Sequence, residues 1–324
     1  MNAPQSETAF LDIDGLSVEY PLQGGRKVYA VTDFTAHVKK GETLGLVGES
    51  GCGKSSAARA VMQLPRPTRG AVRLDGQELT GLKGRALQQA RRRFQMIFQD
   101  PIASLNPRMT IRDIVAAPLE IAGIGTPADR TKRVAEMLEK VGLNAEQAME
   151  RRPHEFSGGQ CQRISIARAL ILEPDLLVCD EAVSALDVSV QAQVLNLLEE
   201  LKKELGLTML FISHDLAVVK HVSDRVAVMY LGRLCELADA ETIYRNPVHP
   251  YTRTLLSAVP EPDPDAPPHQ MNLVSGELPS PVNPPSGCPF RTRCPRASDQ
   301  CAAEMPALAE RAPGHFAACH HPHD

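Results

Sequence analysis

The sequence predicts an α/β fold: a parallel sheet covered by helices on both faces, preceded by an antiparallel β region and interrupted by a helical insertion. Three observations predict it. Short apolar strands alternate with helices from residue 162 to residue 212, which is the rhythm of parallel βαβ units. The apolar run TLGLV at 43–47 passes directly into a glycine-rich loop and then into an Ala-rich, helix-compatible stretch at 56–64. Residues 111–160 read as helical, with no strand-like run among them.

The elements follow in order. Leu11, Ile13, Leu16, Val18 and Tyr20 alternate as one strand and residues 28–38 make a second, with Gly24 and Gly25 turning between them. Residues 71–74 read as a strand entering the Asp75-Gly76 turn, and 95–99 as another short strand. In the insertion, Val134, Met137, Leu138 and Val141 recur at helical spacings of three and four. A helix at 162–172, a strand at 176–179, a helix at 188–205 and a strand at 208–212 close the pattern. The expected organisation is a main domain over 1–259, with its helical subdomain at about 100–165, and an extension over 260–324. Fourteen of the 26 prolines and four of the eight cysteines fall in that extension, so it is different material from the rest.

Composition narrows the function. The chain of 324 residues is 43% hydrophobic and 23% charged, the mixture of a soluble globular protein, with a net charge of −4. That charge argues against a general nucleic-acid footprint, and no nucleic-acid partner is expected. No run approaches the ~18 apolar residues of a membrane span. Residues 1–10 are polar and lack a basic region, so no secretory signal is expected and the cysteines do not read as a disulfide framework.

Gly48, Glu49, Ser50, Gly51, Cys52, Gly53, Lys54 and Ser55 fit the pattern G-x-x-x-x-G-K-[ST] between strand and helix, and Ser56 follows in the same turn. Glycines at these places let backbone N–H groups point inward at phosphates, and the helix start adds positive potential. Lys54 is expected to reach the β- and γ-phosphates of ATP, and the Ser55 hydroxyl to ligate Mg²⁺. At the end of the apolar strand LLVCDE, Asp180 is expected to hold Mg²⁺ through water. Glu181 would orient or deprotonate the attacking water. The class is a P-loop NTPase with a RecA-like core.

Further strings narrow it. Ser157, Gly158, Gly159 and Gln160, preceded by Phe156, resemble the signature motif of ATP-binding cassette (ABC) ATPases, placed just before the helix expected from Gln162. Gln99 in FQDP resembles the Q-loop glutamine and ends the strand at 95–99. Ser184, Ala185, Leu186 and Asp187 resemble the D-loop, and His214 the switch histidine. The resemblance implies that Gln99 contacts Mg²⁺ and that His214 contacts the γ-phosphate. It also implies adenine stacking on an aromatic residue upstream of the loop, with Tyr20 preferred over Tyr29. Two such ATPases packed head to tail would place each signature over the partner's γ-phosphate. Cys161 departs from the charged or polar residue common after the signature. Cys52, Cys161, Cys179 and Cys235 have no mutual spacing logic and read as small packing residues.

FQDP with SLNPR at 104–108, SALDVSVQAQ at 184–193 and HPYT at 249–252 resemble the oligopeptide/dipeptide importer ATPases, and within them the F-type subunit. That resemblance implies a D-type second ATPase as partner (a homodimer being the alternative) and two transmembrane permease subunits. It implies a substrate-binding protein acting indirectly, and a peripheral place on the cytoplasmic face of the membrane. Nickel importers share the branch, so a nickel or other small-solute cargo stays open. A DNA-repair or chromosome-maintenance ATPase is the reading from another class.

Cys288, Cys294, Cys301 and Cys319 are separated by gaps of five, six and seventeen residues. Four thiolates suit Zn²⁺ or an iron–sulfur cluster. Close C-x₂₋₄-C pairs are absent, and Pro289 and Pro295 each follow a cysteine, which favours a [4Fe–4S] cluster over Zn²⁺. The related importers' extension has the same four-Cys pattern.

Overall fold

The computed structural model describes residues 9–258 and 277–323. The boundary expected at 259/260 therefore lies outside the described residues. The chain divides into two compact units, Met1–Thr80 with Ile212–Asp324, and Gly81–Phe211.

The first unit opens with β1 (Leu11–Pro21), β2 (Lys27–Val38), β3 (Thr43–Val47), α1 (Lys54–Val61), β4 (Arg69–Leu74) and β5 (Gln77–Glu78). Strands β1, β2, β4 and β5 form an antiparallel sheet in the order β2-β1-β4-β5. Alternation sets its register: buried Val18 lies opposite buried Val31, and Leu11 opposite Val38. All five residues of β3 are buried, as expected of a strand covered on both faces.

The second unit holds α2 (Gly84–Ala90), β6 (Phe94–Ile97), α3 (Ile111–Ala122), α4 (Pro127–Lys140), α5 (Ala145–Ala148), α6 (Gly158–Leu170), β7 (Leu176–Asp180), α7 (Val188–Leu205) and β8 (Thr208–Ile212), the last running to its end. The helix starts were written locally. Thr110 caps α3 by accepting from the Asp113 N–H, and Thr126 forms a reciprocal capping box with Asp129 ahead of Pro127. Strands β6 and β7 pair in parallel, Phe94 opposite Leu176 through Ile97 opposite Cys179. Helix α6 buries most of its circumference against α3, α4, α7 and β6.

Two expectations shift here. Strand β6 ends at Ile97, so Gln99 stands beyond the strand rather than closing it. Helix α6 begins at Gly158 rather than Gln162, which places Gly158, Gly159 and Gln160 inside its first turn.

The first unit resumes with α8 (Leu216–Val222), β9 (Arg225–Tyr230), β10 (Arg233–Asp239), α9 (Ala240–Arg245), α10 (Pro250–Ser257), α11 (Asp299–Ala303), β11 (Ala309–Ala312) and β12 (His315–Ala317). Strand β9 pairs in parallel with β3, Leu44 opposite Arg225 through Val47 opposite Val228. The extension does not hang apart. Strand β12 joins β10, Glu236 opposite Ala317, giving the strand order β11-β12-β10-β9-β3 within this unit.

A buried carboxylate ties the pieces together. Glu236 accepts the N–H groups of Val248 at 2.8 Å and His249 at 3.0 Å, and its Oε1 lies 2.7 Å from His315 Nε2. Burial lowers His249 to about 4, so the ring is neutral and its Nδ1 accepts the Tyr251 N–H at 3.1 Å. Phe290 completes the seat, fully buried against the rings of Tyr230 and Tyr251 at 5.2 and 5.3 Å.

Candidate functional site

In the first unit, β3 runs into the loop of Gly48, Glu49, Ser50, Gly51, Cys52 and Gly53, and Lys54, Ser55 and Ser56 open α1. The tight return needs glycine. Gly53 sits at φ +107°, and a Cβ there would lie 2.1 Å from the Ala30 carbonyl oxygen of β2; at Gly48, with φ +151°, it would lie 2.2 Å from the Met229 carbonyl. The result is a concave backbone cradle leading to a helix start, the geometry that binds phosphate oxygens.

Lys54 is 4% exposed, and its Nζ donates to the carbonyls of Gly48 at 2.8 Å and Glu49 at 3.0 Å. The ammonium thus lies across the mouth of its own loop. Ser213 donates its N–H to the Leu46 carbonyl at 3.3 Å, which sets exposed His214 at the end of β3 where the loop begins. Tyr20 is half-buried near the end of β1, opposite Val28, and Tyr29 lies beside it on β2 next to Ala30. Tyr29 belongs to the strand that touches Gly53, and Tyr20 to the strand paired with it.

In the second unit, Asp180 ends β7 fully buried, and Glu181 follows at φ +50°. A left-handed backbone at a non-glycine residue costs on the order of 1 kcal/mol and persists where surroundings enforce it. Here Ser184 enforces it: its N–H and Oγ both donate to the Glu181 carbonyl, at 3.2 and 2.9 Å. Gln99 Nε2 donates to Glu181 Oε2 at 2.7 Å. The two residues, 82 positions apart, form one unit: a carboxylate clamped by its turn and oriented by an amide.

Ser157 caps α6. Its Oγ accepts the Gln160 N–H at 3.3 Å while its own N–H donates to Gln160 Oε1 at 3.0 Å. Gly159 is required by close approach, since a Cβ there would meet Val190 Cγ1 of α7 at 2.4 Å, and Gly158 faces Leu186. Asp187 in turn caps α7, accepting from Val190 N–H at 3.0 Å, and that bond holds its carboxyl below the usual range. Residues 157–160 and 184–187 therefore make one exposed ledge of two helix starts.

Cys52, Cys161, Cys179 and Cys235 are all buried. Burial pushes the first, second and fourth thiols up, and Cys179 to about 12, the state of inert packing groups.

Cys288, Cys294, Cys301 and Cys319 line one small pocket with His320 and His321, all four as free thiols. Cys294 Sγ accepts the Arg296 N–H at 3.4 Å and Cys319 Sγ the His321 N–H at 3.3 Å. Such backbone bonds two residues on suit thiolate ligands, so the donor chemistry fits a thiophilic centre. Among the described residues, no three His, Cys, Asp or Glu side chains stand at metal-holding spacing.

Three functional neighbours escaped the sequence reading. Tyr251 OH accepts the Glu49 N–H at 2.9 Å; Arg293 Nη1 donates to both Glu49 carboxylate oxygens, at 3.0 and 2.9 Å, and to Tyr230 OH at 3.4 Å. Only the HPYT string touched this group, and it carried no sign of contact with the loop.

Residues 31–184 match the family described as ABC transporter, and residues 235–301 the one described as oligopeptide/dipeptide transporter, C-terminal region. The oligopeptide transport ATP-binding protein OppF of Escherichia coli (strain K12) is 54% identical over 319 residues, covering 95% of each chain. OppF of Salmonella typhimurium (strain LT2) is 53% identical with the same coverage. Among solved structures, a dimeric post-hydrolysis state of the ATP-binding cassette MJ0796 with ADP and phosphate superposes with a TM-score of 0.65. It is 29% identical and covers 71% of this chain and 98% of that one. The cbiO1 protein of Clostridium perfringens, part of an ABC transporter complex, gives 0.64 at 26% identity, covering 74% and 92%.

Proposed function

This chain belongs to the ABC transporter family, on its oligopeptide/dipeptide branch, and from that premise we propose that it is the ATP-hydrolysing subunit that powers an oligopeptide importer. The observation that carries the catalytic part is the clamped Glu181, held left-handed by Ser184 and oriented by Gln99. Ser55 in the first unit, and Gln99 and Asp180 in the second, each offer an oxygen donor of the kind a hard cation takes, and Mg²⁺ is the ion proposed for them. When bound, the ion neutralises charge on the β- and γ-phosphate oxygens.

The chain's own groups do the rest. The loop amides and Lys54 bind the phosphates, Tyr20 stacks on adenine, and His214 contacts the γ-phosphate. Glu181 orients the attacking water and accepts its proton. The ledge of Ser157, Gly158, Gly159 and Gln160 serves the partner's ATP, because the positive end of a helix attracts a γ-phosphate. An importer ATPase of this family works as a dimer with membrane permeases. The partner proposed here is a D-type paralogue, with two permease subunits and a substrate-binding protein upstream. Among the described residues no helix is long and apolar enough to cross a membrane, so attachment at the cytoplasmic face would run through the permeases.

Cargo is tested by reconstituting the chain with its second ATPase, permeases and binding protein in vesicles loaded with ATP and Mg²⁺. A labelled tripeptide is expected to accumulate and ⁶³Ni²⁺ to stay at background. The reverse pattern would assign the chain to metal import.

The pocket of Cys288, Cys294, Cys301 and Cys319 is proposed to take a [4Fe–4S] cluster, with Zn²⁺ as the second candidate; its support is that four free thiols line one pocket, and binding would have to draw them closer than they stand here. Anaerobically purified protein is expected to be brown, with about four iron and four sulfide per chain. Colourless protein with stoichiometric zinc would replace the cluster by the ion.

A further inference from the structure

Glu49 stands second in the phosphate loop, where a carboxylate works against the binding of a polyanion. Three contacts restrain it. Its N–H donates to Tyr251 OH, its carbonyl accepts from Lys54 Nζ, and both carboxylate oxygens accept from Arg293 Nη1. Arg293 comes from the C-terminal extension, 244 residues further on, and its side chain is only 8% exposed. The segment that carries it also carries Phe290, which packs on Tyr230 and Tyr251, the two tyrosines that touch Arg293 and the loop. The extension is therefore seated on the groups that hold the loop, and its one guanidinium there lands on the loop's one carboxylate.

We propose that Arg293 is a positioning residue for the phosphate site: by pairing with Glu49 it fixes the loop and cancels the carboxylate that would otherwise repel ATP. The C-terminal extension thus completes the nucleotide site of its own chain. This rests on the reading that ATP binds at the loop. Removing one partner of such a half-buried pair leaves the other charge uncompensated, here beside the triphosphate. Removing both leaves no charge to repel it. Rescue by the second substitution separates an electrostatic role from a merely structural one.

The test is calorimetric titration of Mg²⁺-ATP into the full chain, at low and at high salt. Arg293→Gln is expected to weaken binding on the order of tenfold at low salt and less at high salt, where screening shields Glu49. Arg293→Lys, which keeps the charge but loses the guanidinium's contacts with Tyr230, is expected to bind more tightly than Arg293→Gln and less tightly than wild type. Arg293→Gln with Glu49→Gln is expected to recover most of the loss. Wild-type affinity in Arg293→Gln, or a double variant as weak as the single one, would overturn the proposal. Lys54→Ala is the control for the reading beneath it: binding should be lost, and undiminished binding there would remove the ATP site itself rather than the Arg293 role.

Discussion

Replacing Glu181 with Gln lowers steady-state ATP turnover by about 10²–10⁴-fold, the usual contribution of a positioned general base, while Mg²⁺-ATP still binds. The substitution keeps size and keeps an oxygen able to accept from Gln99 Nε2. It removes only the ability to take a proton from water. The turn that holds residue 181 is built from backbone and Ser184, so the fold and the left-handed geometry should survive. Turnover by phosphate release and binding by calorimetry separate the two steps. Turnover at the wild-type rate would remove Glu181 from the chemistry.

The second large effect is expected at the ledge. Gly159→Val places a branched side chain where a Cβ already lies 2.4 Å from Val190 Cγ1, so the start of α6 must move off the start of α7. The Ser157–Gln160 capping box sits on that turn, and the N–H groups it orients lose their aim. On the proposed reading that those groups serve the partner's nucleotide, turnover by the assembled dimer should fall at least about tenfold, the usual effect of misplacing one set of oriented donors. ATP binding by the variant chain alone should stay near wild type. If binding by the isolated chain collapsed instead, the ledge would be acting in its own site and the head-to-tail arrangement would be wrong.

What the sequence disclosed and what it hid divide along contact distance. The strand 43–47, the glycine loop and α1 are contiguous, and their chemistry was legible from residue types alone. The helices of the insertion were legible because their caps are local: Thr126 with Asp129, Thr110 with Asp113. The start of α6 lies four residues ahead of the start its sequence pattern predicts, for a physical reason. Two adjacent glycines weaken any helical pattern, and the Ser157–Gln160 box that starts the helix is read only when the glycines are allowed inside its first turn. The apolar run predicts a strand through Gln99, but β6 ends at Ile97, and beyond the strand the Gln99 amide reaches Glu181.

The extension was the least legible. It was marked as different by proline and cysteine, yet its hold on the molecule depends on partners far away in sequence: Arg293 with Glu49, Phe290 with Tyr230, β12 with β10. A three-residue strand has no period to read, and an arginine beside Cys294 carries no sign of which carboxylate it meets.

The central proposed coupling is that ATP hydrolysis at this chain's Glu181 drives peptide movement. It is measured in a single vesicle preparation holding the complete importer, following phosphate release and tripeptide accumulation together for wild type and Glu181→Gln. Both signals are expected in wild type and neither in the variant, with Mg²⁺-ATP bound by each. Peptide accumulation that continues in Glu181→Gln, or wild-type phosphate release with no accumulation of any peptide offered, would contradict it.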